Sequence, residues 1–126
     1  MAKRVLIVDD EAATAWALSE SLREDGLEPT IAHSAGEARQ LLREEFFDLL
    51  ISDVRLPDQS GLELLREREG SRPPAILVTA FDGEEVAAAV RDLEAVACYR
   101  KPFDLDSLRE TVSRVLGAVP ELPPTD

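Results

Sequence analysis

The chain has one cysteine, Cys98, so no disulfide can form within it, and a reduced compartment is the default. It has no apolar N-terminal signal region and no apolar run long enough to cross a bilayer, which makes a cytoplasmic protein the expectation. Positive charge is scarce: 14 Lys and Arg stand against 26 Asp and Glu, for a net charge of -12. So acidic a chain lacks the basic face needed to displace counterions from nucleic acid or an anionic membrane, so direct binding to either is not expected. Lysine is scarcer still. Only Lys3 and Lys101 occur, so arginine is the habitual cation and Lys101 stands out.

What is present is an ordinary globular composition, 44% hydrophobic and 32% charged over 126 residues, enough for one core without disulfide or metal staples. Short apolar runs alternate with helical patterns. Val5 to Val8 stops at the acids Asp9 and Asp10 and precedes a helix from Glu11 to Asp25, with Ala15, Leu18 and Leu22 on one face and Gly26 as its stop. Glu28 to Ala32 reads as an edge strand, because Pro29 cannot donate to a ladder. Ser34-Ala35-Gly36-Glu37 matches a capping box opening a helix with Ala35, Ala38, Leu41 and Leu42 inward. Asp48 to Ser52 is a buried strand ending on Asp53, and after a loop with Pro57 a short helix from Gly61 to Arg68 turns Leu62 and Leu65 inward.

Ala75 to Val78 is a further strand, ending on Thr79. Asp82 can cap a helix carrying Val86, Ala89, Val90 and Leu93; a fifth strand, about Val96 to Tyr99, leads into Lys101-Pro102-Phe103. Asp104 caps the last helix, with Leu105, Leu108, Val112 and Val115 buried and a stop near Gly117. Residues 1–117 form one domain; 118–126 are a proline-rich tail or the start of a linker.

Five strand-and-helix units imply an α/β fold: a doubly wound parallel sheet with helices on both faces. That winding brings every strand's C-terminal end to one edge, where such folds place ligands. Asp9, Asp10, Asp53, Thr79 and Lys101 all arrive there. Singly, each has a structural reading, as a helix cap, a strand-end residue or a solvated charge; their placement at the ends of four separate apolar runs argues for a shared site. Converging carboxylates repel one another and either shift their pKa values or recruit a cation. An oxygen-only set with few protein ligands suits Mg2+, or another divalent cation such as Mn2+. Asp53 could then attack phosphorus as a carboxylate nucleophile, with Lys101 and Thr79 around the transferred group.

The chain resembles a response-regulator receiver domain of two-component signalling from Arg4 to about Gly117. The matching pieces are VDDE (Val8 to Glu11), D-x-x-x-P-x-x-x-G (Asp53, Pro57, Gly61), VTA (Val78 to Ala80) and KPF (Lys101 to Phe103). The resemblance implies a flavodoxin/CheY-like sheet of order 2-1-3-4-5. It also implies that Asp53 accepts the phosphoryl group, that Asp10 binds the metal directly and Asp9 through water, and that Arg55 contributes its backbone carbonyl. Thr79 corresponds to the hydroxyl that moves toward the phosphoryl group and Lys101 to the lysine that pairs with it, in a Lys101-Pro102 bond commonly cis in the family. The implied partner is a sensor histidine kinase or histidine phosphotransfer protein, with a possible effector domain beyond the tail. The implied chemistry is phosphorylation and dephosphorylation of Asp53 itself rather than turnover of outside substrates.

Two departures bear on that expectation. The switch aromatic of most relatives, three positions before the lysine, is here Cys98; Tyr99 is one step later and should face the opposite side of the sheet, packed under a helix, unless the register shifts. Glu94 stands between Leu93 and Cys98 where relatives often have glycine. Arg55 and Phe81, two residues after the acceptor and the threonine, are expected to shield an acyl phosphate from water and prolong its life. A receiver-like module that binds partners without phosphorylation is the alternative. Arg55 disfavours an aspartyl phosphatase, which generally has an acid there, and Asp9-Asp10-Glu11 disfavours a flavin phosphate loop.

Overall fold

A computed structural model describes residues 2–68, 71–80 and 84–117, without the side chains of 84, 85 and 89. Ten elements alternate: β1 (Arg4–Val8), α1 (Ala12–Glu24), β2 (Glu28–Ala32), α2 (Ala35–Glu44), β3 (Leu49–Asp53), α3 (Gly61–Glu67), β4 (Ala75–Thr79), α4 (Glu84–Asp92), β5 (Ala97–Arg100) and α5 (Leu105–Leu116). All four strand pairings are parallel, in the order β2-β1-β3-β4-β5, which is the topology expected from the sequence. Pro29 lies on the edge strand β2, where its missing N–H is tolerated.

Residue parity along the strands builds two interiors. Val5, Ile7, Leu49, Ile51, Ile76 and Val78 face α1 and α5, meeting Ala15, Leu18, Leu22, Leu108 and Val112. Leu6, Val8, Leu50, Ala75 and Leu77 face the other way, onto Ala38, Leu62, Leu64, Leu65 and Leu93. β3 and β4 are buried at every position, so their lack of alternation follows from having helices on both sides. Each fully buried leucine contributes about 1.5–3 kcal/mol. The starts of β1 and β3 are tied by Asp48, whose carboxylate accepts from the Arg4 N–H at 2.8 Å while its own N–H donates to Arg4 O at 2.7 Å.

The helix ends obey their local chemistry. Ser34 Oγ accepts from the Glu37 N–H at 3.1 Å, and the Glu37 carboxylate reaches back to the His33 N–H at 2.6 Å, a capping box shifted by one residue. Asp104 caps α5 by accepting from the Asp106 N–H at 3.1 Å, and Gly117 ends that helix at φ 64. β5 begins one residue later than the sequence suggests. Val96 donates to Ala75 O at 2.8 Å as the chain enters the sheet, yet is 43% exposed, and pairing instead continues to Arg100 opposite Thr79. The Asp82 cap, the Ala89 side chain and the tail at 118–126 lie outside what the structure describes.

Candidate functional site

Parallel winding makes the site. Val8 is level with Ser52 and Asp53 with Val78, so Asp9, Asp53 and Thr79 emerge side by side from β1, β3 and β4. Asp9 and Thr79 are each 1% exposed and Asp53 7%, whereas Asp10 is exposed. Lys101 follows β5 and is anchored by its N–H, which donates to Thr79 O at 2.7 Å. The Lys101-Pro102 bond is cis.

The two buried acids are held in the same way. One oxygen of each accepts the N–H two residues on: Glu11 to Asp9 Oδ1 at 2.9 Å, and Arg55 to Asp53 Oδ1 at 3.0 Å. The other oxygen of each faces Lys101 Nζ, at 2.9 Å from Asp9 Oδ2 and 2.8 Å from Asp53 Oδ2. Glu11 Oε1 also stands 3.3 Å from that ammonium. Burial pushes the Asp9 carboxyl above the usual range, against the opposing pull of Lys101 and the Glu11 N–H. Burial would lower the Lys101 value, but Asp53 and Asp9 outweigh it and hold the ammonium above the usual lysine range, so Lys101 is a cation at any ordinary pH. The Thr14 hydroxyl, and then Lys101, hold Glu11 below the usual glutamate range.

The donors suit a hard divalent cation. One carboxylate oxygen from each of Asp9, Asp10 and Asp53 lies within 4.8 Å of the others. Asp9 Oδ2 is buried at ion-pair distance from Lys101 but accepts no well-aligned hydrogen bond, which leaves it lone-pair capacity for a metal or a metal-bound water. An open cavity of about 340 Å3 adjoins the cluster, lined by Asp10, Asp53, Leu56, Pro57 and Lys101 among others. The structure thus brings together all the carboxylates and the lysine singled out in the sequence, with Thr79 at the adjacent strand end and the Arg55 backbone on Asp53. Phe81 lies outside the described residues.

Gly61 explains the glycine of the D-x-x-x-P-x-x-x-G pattern. A Cβ there would sit 2.1 Å from Asp53 O, and the Gly61 N–H donates to Val54 O at 2.6 Å. The loop returns onto the acceptor's own main chain, which only a residue without a side chain permits.

A family profile described as the response regulator receiver domain matches residues 5–113. The chain belongs to this family. It is 33% identical over 115 residues to the transcriptional regulatory protein ZraR of Salmonella typhimurium, covering 90% of this chain and 26% of that protein. This receiver therefore spans about a quarter of the length of the curated relatives it matches. The CheY-like receiver domain protein of Methanospirillum hungatei has a TM-score of 0.88 at 34% identity, with 93% of this chain and 95% of that one covered. TrrA of Thermotoga maritima, solved in complex with Mg2+-BeF, has a TM-score of 0.79 at 32% identity, covering 90% and 98%.

In this receiver β5 pairs with β4 in continuous register, Leu77 opposite Cys98 and Val78 opposite Tyr99, so no shift returns Tyr99 to the switch face. Cys98 packs with the core beneath α2, α3 and α4. Tyr99 lies on the opposite face, its hydroxyl bonded to Thr111 Oγ1 and donating to Ser107 O at 3.2 Å, with its ring 6.3 Å from Phe103. Glu94 takes the left-handed conformation at φ 56 in the turn that leads from α4 to β5. The sequence reading missed two participants: Glu11, which reaches Lys101, and Asp58, whose carboxylate crosses to the start of α2. Glu11 stands within the VDDE piece, whose pattern assigns it no partner; Asp58 gives no local signal because its partners are distant in sequence.

No helix among the described residues is long and apolar enough to cross a membrane.

Proposed function

We propose that this receiver takes a phosphoryl group onto Asp53 from a phosphohistidine of a sensor kinase or phosphotransfer protein in the cytoplasm, and that the modified state switches an output surface. The observation that carries the reading is Lys101 bridging two buried carboxylates at the mouth of an open pocket. An Asp53 oxygen attacks phosphorus, the phosphorus–nitrogen bond to the imidazole breaks, and an acyl phosphate remains. Lys101, already 2.8 Å from Asp53, neutralises charge on the incoming oxygens, and the Thr79 hydroxyl supplies a donor from the neighbouring strand. Mg2+ or Mn2+ held by Asp9, Asp10, Asp53 and the Arg55 carbonyl would supply further charge neutralisation, in keeping with the Mg2+-BeF complex of TrrA.

Asp53 is both substrate and product carrier, so the chain is a signalling module rather than a turnover enzyme. The relatives' greater length and the name of ZraR as a transcriptional regulator support an effector domain following the receiver. Acetyl phosphate and Mg2+ are expected to add one phosphoryl mass, absent in Asp53→Asn. A wild-type chain that stays unmodified by both acetyl phosphate and a phosphorylated kinase would sink this reading. Cys98 at the switch position favours a second one, phosphorylation-independent partner binding, identified by affinity that Asp53→Asn leaves unchanged.

A further inference from the structure

We propose that Asp58 is a positioning residue for the acidic pocket: it clamps the loop after Asp53 onto the first turn of α2 and thereby sets the pocket's affinity for a divalent cation. This rests on reading the pocket as a cation and phosphoryl site.

The first amides of a helix have no partners within it. In α2, Ser34 Oγ serves the Glu37 N–H. The Ala35 and Gly36 N–H groups instead donate to Asp58, at 2.9 Å to Oδ1 and 2.8 Å to Oδ2. A carboxylate forked over two successive amides at the positive end of a helix makes charge-assisted bonds, and those two amides hold the Asp58 carboxyl below the usual aspartate range. Gly36 permits the approach, since a Cβ there would lie 3.3 Å from Asp58 Oδ2.

The next loop residue is held by the same helix. Arg39 donates to Gln59 Oε1 at 2.7 Å and to the Glu67 carboxylate at 2.8 and 3.2 Å, joining α2, the loop and α3. The base of the loop is pinned independently by the Gly61 N–H on Val54 O and by a bridge between Arg55 and Ser60. Leu56 and Pro57, which line the pocket together with Arg55, are therefore strung between two fixed points, the Arg55–Ser60 base and the Asp58 fork. Groups that orient ligands from outside the coordination sphere tune metal affinity strongly, and Asp58 acts on the pocket through Leu56 and Pro57, the two residues that join it to Arg55.

The test is Mn2+ titration followed by electron paramagnetic resonance on wild type, Asp58→Ala and Ser34→Ala. Asp58→Ala is expected to weaken Mn2+ binding about tenfold. Ser34→Ala removes the other cap of the same helix terminus; it should lower the melting temperature while leaving Mn2+ affinity unchanged. Asp58→Asn, which keeps one acceptor oxygen, should fall between wild type and Asp58→Ala and serves if the alanine variant does not fold. Wild-type affinity in both Asp58 variants overturns the proposal, and so does an equal loss in Ser34→Ala, which would make Asp58 a helix cap only. A wild-type chain that binds no Mn2+ would instead remove the reading of the pocket, and the positioning role with it.

Discussion

Gly61→Ala tests the geometry of the acceptor strand most directly. The new methyl would lie 2.1 Å from Asp53 O and 3.0 Å from Ser52 Oγ, whereas real Cβ atoms essentially never approach closer than 3.0 Å. Either the acceptor's carbonyl or the start of α3 must move by about 0.9 Å, in a region where β3 is buried throughout. Overpacking of this kind costs about 1–3 kcal/mol, and the obstacle here is backbone, which places the change near the upper end. An unfolding entropy of about 2.1 cal/mol/K per residue gives ~0.26 kcal/mol/K for 126 residues, so a loss of ~3 kcal/mol lowers the melting temperature by about 11 °C. Circular dichroism would follow the melt, and acetyl phosphate labelling of Asp53 should slow in parallel. Gly26→Ala is the control. No atom lies within 4 Å of that Cβ, so only the left-handed conformation at φ 85 is strained. It should lose about 1–2 kcal/mol and leave labelling unchanged. A Gly61→Ala melt within about 4 °C of wild type, a loss of roughly 1 kcal/mol, would refute the close approach of Gly61 to Asp53.

Three further outcomes follow from the same structure. Lys101→Met leaves the Asp9 and Asp53 carboxylates without their shared cation, so at pH 7 in EDTA the protein should melt lower than wild type and gain more on adding Mg2+. An equal Mg2+ increment in the two proteins would count against the shared ion pair. Tyr99→Phe removes the hydroxyl from Thr111 and Ser107, and urea unfolding should show a loss of about 1 kcal/mol with Asp53 labelling unaltered. The Asp58 carboxyl is held below its unfolded value by the Ala35 and Gly36 amides, so its stabilisation is full above the unfolded pKa and is lost as pH falls through the depressed folded pKa. Stability measured across that acid range should be flatter for Asp58→Ala than for wild type; parallel curves would contradict the assignment.

The fold was legible because apolar runs of three or four residues at four of the five strands, each followed by a polar side chain, leave few alternatives to a parallel sheet. The site was legible for the same reason: Asp9, Asp53, Thr79 and Lys101 mark strand ends, and parallel winding sends those ends to one edge. What sequence could not convey was contact between distant loops. Asp58 and Ala35 are neighbours because β1 pairs with both β2 and β3, and nothing local to Pro57-Asp58-Gln59 announces a helix terminus opposite. Exposure was equally unreadable where a helix face is ambiguous. Trp16 lies beside the buried stripe of α1 and turns out to be 64% exposed, because Ala15, Leu18 and Leu22 already fill the space beneath. The side of Tyr99 did follow from strand parity, since β5 carries no bulge.

The division of the interior by strand parity also bears on how such a chain can change over generations. A residue beneath α5 and one beneath α3 are separated by a layer of hydrogen-bonded backbone, so their substitutions should combine additively. Each flank of the molecule can then be rewritten for a new acquaintance while the packing under the other stays as it was. The loops at the C-terminal edge of the sheet belong to both flanks. There Lys101 ties Asp9 from the end of β1 to Asp53 from the end of β3, so exchanges in those loops should couple rather than add, and they should be the slowest part of the surface to diverge.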